Sequence, residues 1–398
     1  MAASDAVARA LSGLEGPAGI AISGGGDSTA LLLLAQEAGH PLRAATVDHG
    51  LRDSSAAEAR AVAGLCDARG IPNDILILSL NPGPALQARA RDARYAALAD
   101  WARAQDLAAV LLGHSADDVA ETLLMRLADG AGLDGLARMR ADFTRGGTRF
   151  LRPLLDASRA ELRAVVEAAG LTPIEDPSNT DTGFERVRVR RAMAALDLEP
   201  AHLARSAAAL RDAADALEDR TRAAARAICT ADRGDWLIDR AGLAALPRDL
   251  ARRVLLAGLR WIGGGDHPPR HAEQLELMER IAAGAPATLA GCLLTPEGET
   301  LRLAREPAAA AAVPDAAPGT VWDGRWTVEG PDDKARIHAL GAAVSQTDWR
   351  ASGLPRRSLM AAPAAFRDGA LVAAPLVAPV PGWSVRCREP FTGRDDRR

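Results

Sequence analysis

The chain predicts an α/β fold: a doubly wound parallel sheet over its first half, then a mainly helical middle and a small β-rich C-terminal part. Three observations carry the prediction. Strand-length apolar runs alternate with helix-length segments as far as about residue 195. From Pro200 long helix-compatible stretches replace that alternation, and beyond residue 318 tryptophan and proline become frequent. Strands and helices that alternate in this way build right-handed crossovers onto a parallel sheet, whose ligands gather at the carboxyl ends of the strands near the switch in strand order.

Taken in order, residues 18–23 form a short apolar run read as the first strand, and 31–38 continue a helix that follows a glycine turn. Residues 42–47 read as a strand, 54–69 as a helix, 74–80 as a third strand, and 85–105 as a long Ala/Arg-rich helix. Residues 107–112 make a fourth strand with a helix at 116–128 behind it. One long helical stretch at 201–227 carries Arg205, Arg211, Arg220, Arg222 and Arg226. Helices at 250–261 and 271–283 and strand-like pieces at 290–303 follow, and the Ala/Pro run at 308–318 reads as a linker. The expected domains are therefore 1–195 (nucleotide-binding and catalytic), 196–310 (mainly helical) and 319–398 (small and β-rich).

Composition narrows the function. The 398 residues are 48% hydrophobic and 25% charged with a formal net charge of -4, which excludes a uniformly basic nucleic-acid coater but not local basic patches. Four separated cysteines (Cys66, Cys229, Cys292, Cys387) form no CxxC pair, so a disulfide scaffold or a cysteine-based zinc site is not expected and a reducing cytoplasm is. Neither a signal peptide nor a membrane span is expected, because the first 42 residues lack a long apolar run and the apolar stretch at 370–383 is broken by Pro375, Pro379 and Pro381. Lys334 is the one lysine, against 47 arginines. A Walker A loop needs a lysine beside its glycines. Phosphate chemistry here must run on backbone N–H groups, arginine and metal.

The strongest local signal is Ser23-Gly24-Gly25-Gly26-Asp27-Ser28, between a strand and a helix. Consecutive glycines let N–H groups converge, and the helix adds its unpaired N–H groups and positive dipole end, a cradle for pyrophosphate. Ser23 and Ser28 add hydroxyls, and Asp27 can hold Mg²⁺ or cap the helix. With no lysine to grip a γ-phosphate, the loop suits the β- and γ-phosphates as a leaving group, so AMP and pyrophosphate are the expected products. Asp118 and Glu121, three apart on a helix behind the fourth strand, face one side and make a receptor for a cationic amine. His114 sits at the end of that strand. Arg94 lies one turn from Arg91 on the Ala/Arg-rich helix.

More of the chain joins this set: Val47-Asp48-His49-Gly50-Leu51-Arg52 after the second strand, Ala90 to Tyr95, and Leu112 to Asp118 running on through Glu121 to Leu127. Arg152-Pro153-Leu154-Leu155, Glu175 to Asn179, Phe184 and Arg186-Val187-Arg188-Val189-Arg190 come next. The glycine turn resembles the PP-loop of the ATP-pyrophosphatase superfamily, and the ordered set resembles the tRNA(Ile)-lysidine synthase family over residues 17–191. Trp322-Asp323-Gly324-Arg325 is similar to a C-terminal region of that family more loosely. The resemblance implies an enzyme, a ligase that uses ATP to activate C2 of the wobble cytidine, position 34, of tRNA(Ile) with a CAU anticodon. Free L-lysine then attacks and AMP leaves. It also implies that Asp118 and Glu121 hold the lysine, that Arg94 lies near the α-phosphate, and that backbone at Val47 and Asp48 reads adenine, while His114 at its strand end is placed to contact the α-phosphate or the activated base. The chain departs from the family at Ser115, where a second histidine is usual, at Val187, where asparagine is usual, and in the loop Asp129-Gly130-Ala131-Gly132.

Local charge argues for RNA contact. Residues 138–163 carry seven arginines against three acidic residues, and Arg186, Arg188, Arg190 and Arg191 form a second cluster. Arg152, Arg186, Arg188 and Arg190 are the expected RNA contacts, with the parts beyond residue 196 serving tRNA binding and orientation. Two other functions stay open at this point. A tRNA thiolase of the same superfamily would need a sulfur-handling cysteine, and Cys66 alone falls in the first half. An RNA-binding protein with a degenerate nucleotide site would not need the complete glycine turn together with both carboxylates. A homodimer is left open.

Overall fold

The computed structural model describes residues 2–48, 50, 55–79, 83, 86–173, 183, 185–265 and 268–388. The chain divides into two compact units, one up to Asp215 and one from Ala216 onward.

The first unit is the doubly wound domain. After helix α1 (Ala3–Ser12), strand β1 (Ala18–Ala21) leads to α2 (Gly26–Glu37), β2 (Leu42–Asp48), α3 (Ser55–Asp67), β3 (Asn73–Ile77), α4 (Leu86–Ala104), β4 (Ala109–Leu112) and α5 (Ala116–Ala128). A short helix α6 (Leu133–Leu136) precedes the hairpin β5 (Asp142–Arg145) and β6 (Thr148–Leu151), and helices α7 (Arg159–Ala168) and α8 (Glu185–Ala195) follow. The strands lie in the order β3-β2-β1-β4-β6-β5. β1 runs parallel to β2 on one side and to β4 on the other, and β5 closes the far edge antiparallel. Strand order therefore reverses between β1 and β4, and the crevice at their carboxyl ends is where a ligand belongs.

Both central strands are wholly buried, which is why they read as continuous apolar runs and not as alternating ones. On one face the leucines of α2, Leu31 to Leu34, pack with Ile20, Leu111, Leu162 and Val166. On the other, Tyr95, Leu98 and Trp101 of α4 pack on Val110 and Phe150. Gly19 is what lets the Trp101 ring lie on β1, since a Cβ there would stand 2.7 Å from the ring. Trp101 and Arg43 both donate to Asp74 Oδ2, at 2.8 and 2.9 Å, pinning the β2–β3 edge.

The sequence reading did not resolve the β5–β6 hairpin. Its signal was Gly146-Gly147, both at positive φ, the two-residue turn whose twist suits a tight hairpin.

Helix α9 (Pro200–Ile228) follows. The second unit has β7 (Cys229–Asp232), β8 (Asp235–Asp239), α10 (Arg240–Ala245), α11 (Arg248–Gly263), α12 (His271–Ala282), β9 (Ala287–Leu289), β10 (Cys292–Glu297) and β11 (Thr300–Arg305). The helices dominate this middle region as expected, but their apolar faces bury against an antiparallel sheet in the order β7-β8-β11-β10-β9. The linker at 308–318 contains a short helix, α13 (Pro307–Ala311), whose Ala310 is fully buried against Trp322 and Trp326. Two small antiparallel sheets complete the C-terminal part: β12 (Val321–Trp322), β13 (Trp326–Glu329) and β17 (Ser384–Cys387), and β14 (Arg336–Ala339), β15 (Pro363–Arg367) and β16 (Ala370–Ala373). Helix α14 (Arg356–Met360) packs beside them.

Within this unit Trp322 and Arg325 of the Trp322-Asp323-Gly324-Arg325 stretch are buried. Asp323 accepts from Arg305 at 3.0 and 3.1 Å, while Arg325 donates to the Gly234 carbonyl and lies over the rings of Trp261 and Trp326. Nearby, buried Asp235 accepts from Arg302 at 3.0 Å and from the Ser358 hydroxyl. Charges this deep persist because each has a partner.

Candidate active site

The glycine turn lies at the carboxyl end of β1, beside the end of β4. Gly24 has φ +84°, a backbone that side chains disfavour, and Gly25 is the N-cap of α2 with no side chain to satisfy the first helical N–H groups. Ser28 draws the loop tight: its hydroxyl accepts from Ser23 N–H at 3.2 Å, lies 3.1 Å from the Ser23 hydroxyl and donates to the Gly25 carbonyl at 3.0 Å. At Gly113 the end of β4 presses on the start of α2, leaving no room for a side chain. The loop thus offers converging N–H groups and a positive dipole end to an anion.

Beside it stands an acid cluster. Glu121 is 1% exposed and Asp118 9%, and with Asp27 they line the N-terminal turn of α5. Ser115, the N-cap of α5, links Asp118 to Asp27. Its N–H donates to Asp118 Oδ2 at 3.1 Å, and its hydroxyl lies 3.0 Å from Asp27 Oδ2 and 3.4 Å from Asp118 Oδ2. Burial raises the pKa of Asp27, Arg159 pulls it down, and Asp118 pushes it up again. Three guanidiniums offset the three carboxylates. Arg190 binds Glu121 at 2.6 Å, Arg186 approaches Asp118 at 3.4 Å, and Arg159 reaches Asp27, Asp118 and Glu121 at 3.5, 3.5 and 3.2 Å.

This changes how the second arginine cluster is read. Arg186 and Arg190 are four apart on α8, so both turn the same way, onto the carboxylates. Arg188 donates to the Gly183 carbonyl at 3.0 Å. Arg152 is only 7% exposed: it donates to the Arg140 carbonyl at 2.7 Å and to the Tyr95 hydroxyl at 3.0 Å, and lies over the Phe143 ring. These contacts hold the guanidinium within the domain, against β5 and α4.

His114, just past the end of β4, has Nδ1 buried and unpartnered among the described residues. Its pKa falls well below the ordinary value, chiefly through burial and then through the charges of Arg152, Arg94, Arg91 and Arg186. Arg94 is itself desolvated beside Arg91. A guanidinium does not shed its proton, so such a crowd of cations around a neutral imidazole is relieved by an anion. At the end of β2, Asp48 Oδ1 accepts from Gly50 N–H at 2.9 Å and from the Ser55 hydroxyl at 2.6 Å, with Val47 half-buried before it. His49, Leu51, Arg52, Glu175 to Asn179 and Phe184 lie outside the described residues. The one cysteine of this unit, Cys66, is buried, and burial pushes its thiol up to about 11, away from the thiolate that sulfur chemistry uses.

Two site residues escaped the sequence reading. Ser115 entered it only as a departure from the family, although Ser115 to Asp118 is a capping-box spacing. Arg159 was counted only as charge. The same spacing at Ser158 and Glu161 marks the start of α7 and places Arg159 at its first position. There its N–H donates to Asp117 Oδ2 at 2.8 Å, tying the starts of α5 and α7 together.

A glycine turn without lysine, at the reversal point of a doubly wound sheet, defines a nucleotide-binding domain of the PP-loop class. Residues 13–196 match the PP-loop domain family. The tRNA(Ile)-lysidine synthase of Ruegeria pomeroyi is 41% identical over 379 residues, spanning 92% of this chain and 90% of that one. Its counterpart in Novosphingobium aromaticivorans is 48% identical over 307 residues, covering 72% and 88%, and that of Thermobifida fusca is 43% identical over 265 residues, covering 63% and 79%. The chain belongs to the tRNA(Ile)-lysidine synthase family. No helix among the described residues is long and apolar enough to cross a membrane.

Proposed function

We propose that the protein joins free lysine to C2 of the wobble cytidine in tRNA(Ile) with a CAU anticodon, at the expense of ATP. In the first step the cytidine O2 attacks the α-phosphorus and pyrophosphate leaves. In the second the lysine ε-amine attacks C2, the C2–O2 bond breaks, AMP departs with that oxygen, and the amine gives up a proton. One observation carries the reading: buried Asp118 joins through Ser115 to Asp27 of the glycine turn, and Arg159 ties buried Glu121 to both, so an amine-holding site and a phosphate-holding site share one bonded network.

The residues divide the work by chemistry. Backbone at Gly24, Gly25 and Gly26, with Ser23 and Ser28, holds the departing phosphates. Arg94 and neutral His114 flank the α-phosphate, where fixed positive charge meets the charge that develops there. Lysine's amine, with an unperturbed pKa of about 10.4, must lose a proton before it attacks, and Asp118 or Glu121, or a water held by one of them, accepts it. Asp27 suits Mg²⁺, since it offers a hard oxygen whose buried charge favours a nearby cation. When bound, that ion neutralises the pyrophosphate leaving group. The parts beyond residue 196 supply tRNA contacts, and the reaction belongs in the cytoplasm.

The test is mass analysis of nucleosides from CAU-anticodon tRNA incubated with the protein, ATP and labelled lysine. Label must appear on the wobble nucleoside, with AMP as co-product. Release of ADP and orthophosphate overturns the scheme. Asp118→Ala should raise the lysine KM by tenfold or more (about 1.4 kcal/mol) while ATP binding stays intact.

A further inference from the structure

The acid cluster already holds cations before any lysine arrives. Asp27, Asp118 and Glu121 face Arg159, Arg186 and Arg190, and Asp117 stands beside them on the Arg159 N–H. A substrate ammonium that pairs with Asp118 and Glu121 must therefore displace a resident cation, because both carboxylates are buried and their acceptor positions are in use. The three arginines are not held alike. Arg190 grips Glu121 through Nε at 2.6 Å and Nη2 at 3.4 Å. Arg186 makes a single approach to Asp118. Arg159 spreads three nitrogens over three carboxylates at 3.2 to 3.5 Å, longer than a charge-assisted bond at its optimum, and its side chain remains 36% exposed. It is also the one that touches the glycine turn, through Asp27.

We propose that Arg159 is a placeholder cation: it occupies the amine site between Asp118 and Glu121 in the free enzyme and moves toward the phosphates when ATP binds. The amine site then opens only on an enzyme already loaded with nucleotide. Lysine meets a charge-satisfied surface until the triphosphate draws the guanidinium past Asp27, after which Asp118 and Glu121 are left short of a cation. Reciprocity follows, so bound lysine must tighten ATP by the same factor. Arg159 acts here as a positioning residue, and the proposal rests on the lysine-ligating reading above.

Titration calorimetry of the full chain tests it, with L-lysine as titrant in the presence and absence of Mg²⁺ and an ATP analogue carrying a methylene group between the α- and β-phosphates. The wild-type protein should bind lysine about tenfold more tightly with the analogue present. Arg159→Gln should bind lysine without nucleotide nearly as tightly as the loaded wild type, so that the coupling factor falls close to one while analogue affinity drops. Arg159→Lys, which keeps the charge but cannot span three carboxylates, should retain part of the coupling. A merely structural arginine gives the opposite sign, with weaker lysine binding in Arg159→Gln and unchanged coupling in whatever binding remains. That result, or wild-type lysine affinity indifferent to the analogue, overturns the proposal and leaves lysine ligation standing. A wild-type protein that binds no lysine in either state overturns both. Thermal melting of each variant establishes that it folds. If Arg159→Gln does not, coupling in Arg159→Lys equal to that of the wild type overturns the proposal, and reduced coupling supports it.

Discussion

Gly113→Ala probes the contact that places the glycine turn. A Cβ at this position would stand 2.9 Å from Ser28 Cα, 3.0 Å from the Asp27 carbonyl oxygen and 3.0 Å from Ser28 N. The closest of these is about half an ångström inside ordinary contact, and all three neighbours are backbone, which cannot swing aside as a side chain can. Relief requires the end of β4 to separate from the start of α2. Overpacking of this kind costs about 1–3 kcal/mol of stability. The shift falls on the loop that aims N–H groups at the phosphates, and a displacement approaching 1 Å costs on the order of 100-fold in rate. Pyrophosphate exchange dependent on tRNA should therefore fall by about 10- to 100-fold, with a lower unfolding midpoint in urea. Gly64→Ala is the control. It lies on α3 with nothing near its would-be Cβ and should be neutral or stabilising by up to about 1 kcal/mol. Wild-type exchange and stability in Gly113→Ala would refute the claim that this approach sets the loop.

Three further outcomes are expected. Glu121→Ala should abolish lysine transfer and cost about 1–3 kcal/mol in urea unfolding, below the full penalty for breaking a buried pair because Arg159 and Arg190 keep about a third of their side chains in water. His114 makes stability depend on pH. Its folded pKa lies below the unfolded value near 6.5, so the unfolded chain takes up the proton first, and stability is lost as pH falls below about 6.5 until the folded pKa is passed. His114→Gln should flatten that part of the stability–pH curve measured by thermal melting. In the second unit, Asp323→Ala strips two buried guanidiniums of their carboxylate and should cost about 3–5 kcal/mol, while nucleotide binding by the first unit is retained.

The catalytic half was legible because its signals are local. Continuous apolar runs flagged the buried strands, and Gly24 to Gly26 flagged a turn that only a strand–helix junction supports. What escaped detection was pairing across long separations. The spacing of Arg186 and Arg190 put them on one face of α8, but Asp118 and Glu121, which that face meets, lie 68 and 69 residues away in sequence. Counting arginines therefore registered their charge and not these carboxylate partners. The burial of Arg152 was hidden for the same reason, since it depends on Tyr95 and Phe143 from other elements. The β7–β8 hairpin had only Arg233-Gly234 to announce it, both at positive φ, and Cys229 to Asp232 lacks the alternation of an amphipathic strand.

The buried ion network of the second unit bears on how deletions of this protein are interpreted. A shortened chain stopped near residue 310 keeps Arg302 with its carboxylates but takes Asp323 from Arg305 and the Ser358 hydroxyl from Asp235, and it uncovers the ring of Trp261. Such a fragment carries orphaned charge on the very strand that anchors its own sheet. Failure of that fragment to modify tRNA would report a collapsed scaffold, and the contribution of the missing tail to RNA recognition is better measured by substituting its exposed arginines one at a time.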